Sequence, residues 1–113
     1  MNKISLSVVL ATRNEEENLG RCLESVKKIA SEIVVADEHS TDNTVKIAKG
    51  FGARVIDVDH HENFHTSKNI AIDAAKGDWV LQLDADEVVS PELASEIVSA
   101  INNRRSAING YWV

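Results

Sequence analysis

Short apolar segments that alternate with amphipathic segments are the feature that most constrains the fold of this chain. Four segments rich in Val, Ile and Leu lie at residues 4–10, 32–36, 53–58 and 79–83. Their length and β-branched composition predict buried strands. Residues 111–113, YWV, predict the beginning of a fifth strand.

Each interval between the predicted strands carries helix signals. Asn14, followed by Glu17 three residues later, matches a capping box, so we expect Asn14 to cap the first helix. Gly77 is expected to end the third helix. The second, third and fourth helices are predicted at residues 42–49, at 66–76 and from Ser90-Pro91 onward.

This order of elements predicts an α/β fold of the Rossmann-like kind. Short buried strands alternating with helices favour a mainly parallel sheet with helices on both faces. The 113 residues suit a single domain. In such sheets, ligands bind beyond the carboxyl ends of the strands.

The charge and the cysteine content limit the partners and the compartment. With 18 acidic and 12 basic residues, the net charge is −6, so no nucleic acid partner is expected. A phosphorylated ligand would need local positive charge. Cys22 is the one cysteine and falls at an apolar helix position, which predicts a buried structural thiol in a reducing, cytoplasmic compartment.

Polar residues follow three of the predicted strands. The three groups are Thr12, Arg13, Asn14 and Glu15; Asp37, Glu38, His39 and Ser40; and Asp84, Asp86 and Glu87. Each group alone is also what turns and helix caps use. Because the carboxyl ends of parallel strands share one edge, the three groups together favour a binding site there.

The triplet Asp84-Ala85-Asp86 predicts a metal site. In extended chain, residues i and i+2 point to the same side, so the two carboxylates would lie close together. Both stay ionised when a cation lies between them. Hard oxygen ligands favour Mg²⁺ or Mn²⁺, and a bridging metal would let an acidic site accept a diphosphate.

A competing motif is HENFH, residues 61–65, which fits the H-E-x-x-H pattern of zinc metalloproteases. That pattern needs a continuous helix through His61 and His65. The residues before it, RVIDVDH, alternate as in a strand, and the helical pattern begins only near Thr66, so a loop is predicted at 61–65. No histidine follows to act as a third ligand. We therefore treat His60, His61 and His65 as loop residues, with the zinc protease as a remote alternative.

Three runs resemble the family 2 glycosyltransferases, which have the GT-A fold and use nucleotide-sugar donors. They are SVVLATRNEEENL, IVVADEHSTDNT and SKNIAIDAAKGDWVLQLDADE. The last run is most similar to the subgroup that adds sugars to the lipopolysaccharide core. The resemblance covers roughly residues 4–101 and keeps the family's motif order, which makes it more specific than any single motif.

The resemblance implies roles for individual residues in binding the donor. The nucleotide pocket would be lined by the turn Thr12, Arg13, Asn14 and Glu15. Asp37 would hydrogen-bond the base, with uracil and hence a UDP-sugar expected. Lys68 stands where the family often has arginine and would meet the diphosphate.

The same resemblance places Asp84 and Asp86 in the D-x-D motif. Asp86 is implied as the more direct ligand of Mg²⁺ or Mn²⁺, Ala85 lies between the two acids, and Glu87 completes D-A-D-E. Glu38 and His39 stand where the family usually has an acid and a glycine. His39 is still predicted to contribute to the donor site.

A further departure is Asn43, which stands where the family has a second glycine. Asparagine tolerates left-handed backbone better than most residues, so this change is expected to be mild.

The length of the chain suggests one half of such an enzyme. In the family, an acceptor-binding half follows the D-x-D region and carries the general base. We therefore expect residues 1–113 to be the donor-binding half, with the general base beyond Val113 and weak or no sugar transfer. A lipid-linked acceptor would place the protein at the inner membrane surface. The terminal strand, as an exposed edge, would favour a homodimer.

Three other functions remain open at this point. A nucleotidyltransferase of the same architecture would normally show a glycine-rich basic loop after the first strand, where this chain has TRNEEENLG. A receiver-like signalling domain would need an acidic pair there. A nucleotide-binding module without catalysis differs from an enzyme only in turnover.

Overall fold

The computed structural model describes residues 5–60, 65–103 and 111–112. The strands are β1 (Leu6–Thr12), β2 (Glu32–Asp37), β3 (Arg54–Asp57), β4 (Trp79–Gln82) and β5 (Tyr111–Trp112). The helices are α1 (Leu19–Val26), α2 (Thr44–Gly50), α3 (His65–Ala74) and α4 (Pro91–Asn103). The alternation predicted from the sequence is therefore confirmed, including the beginning of the fifth strand.

The strands form one parallel sheet in the order β3-β2-β1-β4-β5. The chain first builds outward from β1 and then returns to its other side at β4, so the strand order reverses between β1 and β4. Thr12, Asp37 and Asp57 lie side by side in the register. This row of residues marks the carboxyl edge of the sheet, where ligands bind in open α/β sheets.

Helices cover both faces of the sheet, as predicted. Val8 and Leu10 of β1 point to the larger core, which α1, α2 and α4 cover. Val9 points to the opposite face and packs with Ala71 of α3 in a smaller core. This alternation along β1 follows from the two-residue period of a strand. None of the described helices is long and apolar enough to cross a bilayer.

The prediction that Asn14 caps the first helix was wrong. Helix α1 begins at Leu19, and Asn18 holds the cap position without a side-chain cap bond. Asn14 instead adopts left-handed backbone with φ 53°, and its Oδ1 accepts a 2.8 Å hydrogen bond from the Thr41 amide. A contact with a distant loop therefore prevails over the local capping signal.

Gly77 was expected to end α3, but the helix already ends at Ala74. Gly77 lies where the chain passes closely beside β1, and its amide donates a 2.8 Å hydrogen bond to Ser7 Oγ. A Cβ atom at this position would lie 2.6 Å from Ser7 Oγ and 2.8 Å from the Ser7 amide nitrogen. The position therefore requires glycine because of close packing.

Gly77→Ala is expected to lower the free energy of unfolding by roughly 1–3 kcal/mol, since the backbone of β1 must shift. Urea denaturation measures this change. Gly20→Ala is the matched control, because a Cβ there meets no atom within 4 Å and alanine favours the helix. Equal stability of Gly77→Ala and the unmodified chain would contradict the packing argument.

Candidate functional site

The carboxylate of Asp37 lies at the centre of the carboxyl edge and is only 2% exposed. Its Oδ1 accepts hydrogen bonds from Thr12 Oγ1 at 2.7 Å and from Ser40 Oγ at 2.6 Å. Its Oδ2 accepts a 2.9 Å bond from the Ser40 amide. Asp37 therefore joins the end of β1 to the loop that follows β2.

The turn after β1 is held against the same loop. The Asn14 amide donates to Ser40 Oγ at 2.8 Å, and the Glu15 amide donates to Thr44 Oγ1 at 2.8 Å. The side chain of Arg13 is exposed and makes no hydrogen bond or ion pair with the part of the chain that the structure describes. The turn thus has a fixed backbone and a basic side chain directed to solvent.

His39 is one of two residues other than glycine with positive φ in the described chain, at φ 55°. Its Nδ1 lies 3.3 Å from Asp57 Oδ1 and its Nε2 lies 3.3 Å from Asp59 Oδ1. Histidine is one of the few residues enriched in left-handed backbone, so it can occupy a position where the family motif implied by the resemblance has glycine. Asn43 has φ −85°, so this position does not require left-handed backbone, and the expectation that the change from glycine is mild stays a prediction.

The acidic residues after β4 form a turn. The Glu87 amide donates to the Asp84 carbonyl at 2.9 Å, and Glu87 Oε1 accepts a 2.7 Å bond from the Asp84 amide. The premise of extended chain through these residues was therefore wrong. Asp84 and Asp86 are nevertheless both exposed, while Ala85 is buried between them.

Lys68 reaches this turn from the first part of α3. Its Nζ lies 3.1 Å from Asp84 Oδ1, and its side chain is 22% exposed. The structure therefore brings a cation from one element to the acids of another, at the point where strand order reverses. Among the described residues, Asp86 makes no hydrogen bond or ion pair, so its carboxylate is available to a ligand.

The side chains at this edge suit a divalent ion that takes few ligands from the protein and the others from water and a phosphorylated ligand. Within the described ranges, no group of three or more His, Cys, Asp or Glu side chains is placed to hold a metal. Asp84 and Asp86 supply hard oxygen donors, which suit Mg²⁺ or Mn²⁺. Such ions commonly keep few carboxylates and complete their shell with water and phosphate oxygens.

A groove of about 860 Å³ lies elsewhere, between α1 and α4, with Ile29, Val89 and Val98 in its lining. Among the described residues, its lining includes one acid, Glu24, and none of the residues that directly follow β2. The lining mixes apolar side chains with serines and Lys28. The chemistry described above therefore belongs to the edge.

Comparison with known proteins identifies the family. The model of the family described as glycosyl transferase family 2 matches residues 7–113. The chain belongs to this family. The resemblance of the three sequence runs to family 2 glycosyltransferases is therefore confirmed. The lipopolysaccharide core subgroup stays a prediction.

Curated relatives of this family 2 chain include an uncharacterized glycosyltransferase of Rickettsia typhi. It is 45% identical over 97 residues, which make up 86% of this chain and 32% of the relative. The glycosyltransferase SunS of Bacillus subtilis is 37% identical over 86 residues, covering 74% of this chain and 20% of SunS. The chain therefore spans a third or less of these relatives.

Solved structures share the fold of the family 2 chain. S. aureus TarS 1-349 matches with a TM-score of 0.80 and 25% identity, over 97% of this chain and 38% of TarS 1-349. Glucosyl-3-phosphoglycerate synthase from Mycobacterium tuberculosis matches with a TM-score of 0.66 and 25% identity, over 85% of this chain and 40% of the synthase. The GT-A, Rossmann-like fold class is therefore confirmed.

The H-E-x-x-H motif has no support as a zinc site in the family 2 chain. His61 and Glu62 lie outside the described residues. The prediction that His65 is a loop residue was wrong, because His65 is the first described residue of α3. Family membership favours glycosyl transfer over proteolysis. His60, which is described, has its Nδ1 within hydrogen-bonding distance of Glu38 Oε1, at 2.7 Å.

Glu38 is the residue of this edge whose importance sequence reasoning missed. It follows Asp37 directly and is fully buried, with bonds to His60 and to Ser67. An acid at the end of a buried strand, next to a second acid, was the available signal. The partners of Glu38 could not be named from the sequence because they come from distant segments.

Cys22 lies behind the acidic turn and is fully buried, as predicted. Its Sγ donates to the Asp84 carbonyl oxygen at 3.7 Å. Burial raises the pKa of this thiol to about 12, with the nearby charges of Glu87, Asp86 and Asp84 acting in the same direction. The thiol is therefore neutral and structural.

Cys22 is expected to resist alkylation by iodoacetamide in the folded protein at about pH 8, where an ordinary exposed thiol is partly ionised. Mass spectrometry after timed exposure measures the modified fraction. The denatured chain is the control and should react fully. Comparable rates for the folded and denatured protein would show that the thiol is neither buried nor protonated as described.

Proposed function

We propose that this chain supplies the donor-binding half of a family 2 glycosyltransferase. It would bind a UDP-sugar through a divalent metal, for transfer to a glycan or lipid-linked acceptor in cell-envelope or lipopolysaccharide synthesis. The observation that supports this proposal is the ion pair of Lys68 and Asp84 beside the reversal of strand order, at the edge of the sheet where β2 ends in Asp37.

Two solved relatives support the nucleotide and the metal. S. aureus TarS 1-349 has a structure in complex with UDP, with a TM-score of 0.78 to this chain and 25% identity. The mycobacterial synthase has a structure with Mn²⁺, UDP and glucosyl-3-phosphoglycerate. By analogy, UDP and Mn²⁺ are the first ligands to test on this chain.

Asp37 is proposed to select the base. An ionised carboxylate offers about four acceptor positions, and the described contacts use three of those on Asp37. One acceptor position on Oδ2 remains for an N–H group, and uracil carries one such group on its ring. The turn Thr12, Arg13, Asn14 and Glu15, with His39 opposite, would form the walls around the nucleoside.

Asp84, Asp86 and Lys68 are proposed to hold the diphosphate end. Asp86 has the available carboxylate and would ligate the metal directly, while Asp84 remains paired with Lys68 or contributes one oxygen. When bound, Mg²⁺ or Mn²⁺ would neutralise the diphosphate and stabilise charge on the departing nucleotide. The ammonium of Lys68 adds positive charge at an otherwise acidic edge.

Calorimetric titration of the chain with UDP, GDP, dTDP and ADP, each with Mn²⁺ or with EDTA, tests this proposal. We expect binding of UDP that requires Mn²⁺. Sugar transfer from a UDP-sugar should be weak or absent, since no described residue is assigned as general base. Failure of every nucleotide to bind would contradict the donor site, and rapid transfer would contradict the assignment as a donor-binding half.

A further inference from the structure

Glu38 is a charged group inside the protein that none of the proposed donor contacts uses. It follows β2 at the carboxyl edge, between Asp37 and His39, and its side chain is 0% exposed. Burying a carboxylate costs several kcal/mol unless charged or hydrogen-bonding partners compensate for the lost water. The partners of Glu38 therefore show what this buried charge holds in place.

Two of those partners come from distant segments of the chain. Ser67 Oγ, in the first part of α3, donates a 2.7 Å hydrogen bond to Glu38 Oε2, and this bond is fully buried. His60, in the segment after β3, places Nδ1 2.7 Å from Glu38 Oε1. The imidazole is 56% exposed, so Glu38 contacts a surface group on one side and a helix on the other.

The bond to Ser67 fixes the first turn of α3 at a defined place on the sheet. Ser67 and Ala71 are the buried residues of this helix, and the half-buried Ile70 and Ile72 pack against the smaller core. Apolar packing is not directional, so it attaches the helix to the sheet without strictly defining how the first turn is rotated. A hydrogen bond from Ser67 to a buried carboxylate is directional, and charged acceptors form the stronger hydrogen bonds.

Lys68 is the residue next to Ser67, so the same constraint sets where its side chain begins. Its Nζ lies 3.1 Å from Asp84 Oδ1. A rotation of the first turn of α3 would carry Lys68 away from the acidic turn. The network thus runs from the end of β2, through α3, to the end of β4.

We propose that Glu38 is a positioning residue, which holds Lys68 over Asp84 by fixing Ser67. The role in donor binding rests on the proposed function, because Lys68 is taken to meet the diphosphate there. Glu38 itself makes no contact with the donor in this account. Its effect on binding should therefore pass through Lys68 and disappear when Lys68 is absent.

A double-mutant cycle on UDP affinity measures this dependence. Ser67→Ala is expected to raise the Kd for UDP with Mn²⁺ about tenfold, which corresponds to about 1.4 kcal/mol. In a Lys68→Ala background, the same change should alter the Kd by less than about twofold, because coupled residues are not additive. Ser67→Cys, with a similar volume and only a weak donor, should behave like Ser67→Ala.

Ser7→Ala is the matched control, since Ser7 is also fully buried and its Oγ donates a 2.5 Å bond to a carboxylate, that of Glu32. This bond lies near the amino edge of the sheet. Ser7→Ala should lower the stability while leaving the Kd for UDP unchanged. An unchanged Kd in Ser67→Ala, or equal effects with and without Lys68, would overturn the proposed route through Lys68.

A second readout does not depend on nucleotide binding. Crystal structures of the unmodified chain and of Ser67→Ala give the separation of Lys68 Nζ and Asp84 Oδ1, which is 3.1 Å here. We expect this contact to be lost in the variant. If the unmodified chain binds no UDP, the proposed function fails, and this distance still decides the positioning role. Retention of the contact in Ser67→Ala would overturn the inference.

Discussion

Asp86→Asn is expected to abolish the Mn²⁺-dependent stabilisation by UDP while leaving the fold unchanged. The carboxylate is exposed and has no partner in the described parts of the chain, so its loss removes a metal ligand and little else. At free UDP of one hundred times Kd, the unmodified chain should gain about 2.7 kcal/mol of stability. The variant should gain none, as measured by thermal unfolding with UDP and Mn²⁺.

The matched control for this prediction is Asp73→Asn. Asp73 is an exposed acid of α3 without a described partner, and the substitution makes the same change in charge. Both variants should unfold within about 0.5 kcal/mol of the unmodified chain when no ligand is present. Full stabilisation of Asp86→Asn by UDP and Mn²⁺ would remove Asp86 from the metal site.

Asp37→Ala is expected to have the largest effect on stability. The buried carboxylate accepts bonds from Thr12 Oγ1, Ser40 Oγ and the Ser40 amide, and alanine would leave these donors unpaired. Each buried donor without a partner costs roughly 1–3 kcal/mol. A total loss of about 3 kcal/mol is therefore expected in urea denaturation.

Asp57→Ala is the control for Asp37→Ala, because Asp57 is the register partner of Asp37 on β3 and is exposed. It should change the free energy of unfolding by less than about 1 kcal/mol. If the two variants are equally stable, the hydrogen bonds of Asp37 do not hold the loops as described.

The overall fold could be predicted from the sequence because its signals are repetitive. Short runs such as IVVA and WVLQ are rich in β-branched and other apolar residues, which indicates strands. Helix signals lie between them. Parallel pairing then follows from the βαβ connections. The residues at the ends of these strands must meet at one edge, which is why Asp37 and Asp84 could be placed there.

The local geometry depended on contacts between segments, which periodicity does not encode. Asn14 has the sequence of a helix cap, yet it bonds to Thr41, 27 residues away. The acids after β4 form a turn that Glu87 closes, and the bonds of Glu38 span 22 and 29 residues. The sequence could therefore predict which residues lie at the carboxyl edge of the sheet. It could not predict the contacts that each of these residues makes.

The most direct test of the proposed donor site is a crystal structure of the chain with UDP and Mn²⁺, using anomalous scattering to locate the manganese. We predict manganese at about 2.0–2.6 Å from an Asp86 oxygen, the range of hard divalent ions, with diphosphate oxygens beside Lys68 Nζ and the uracil ring against Asp37. Manganese bound away from Asp84 and Asp86, or UDP bound outside the carboxyl edge of the sheet, would contradict the account.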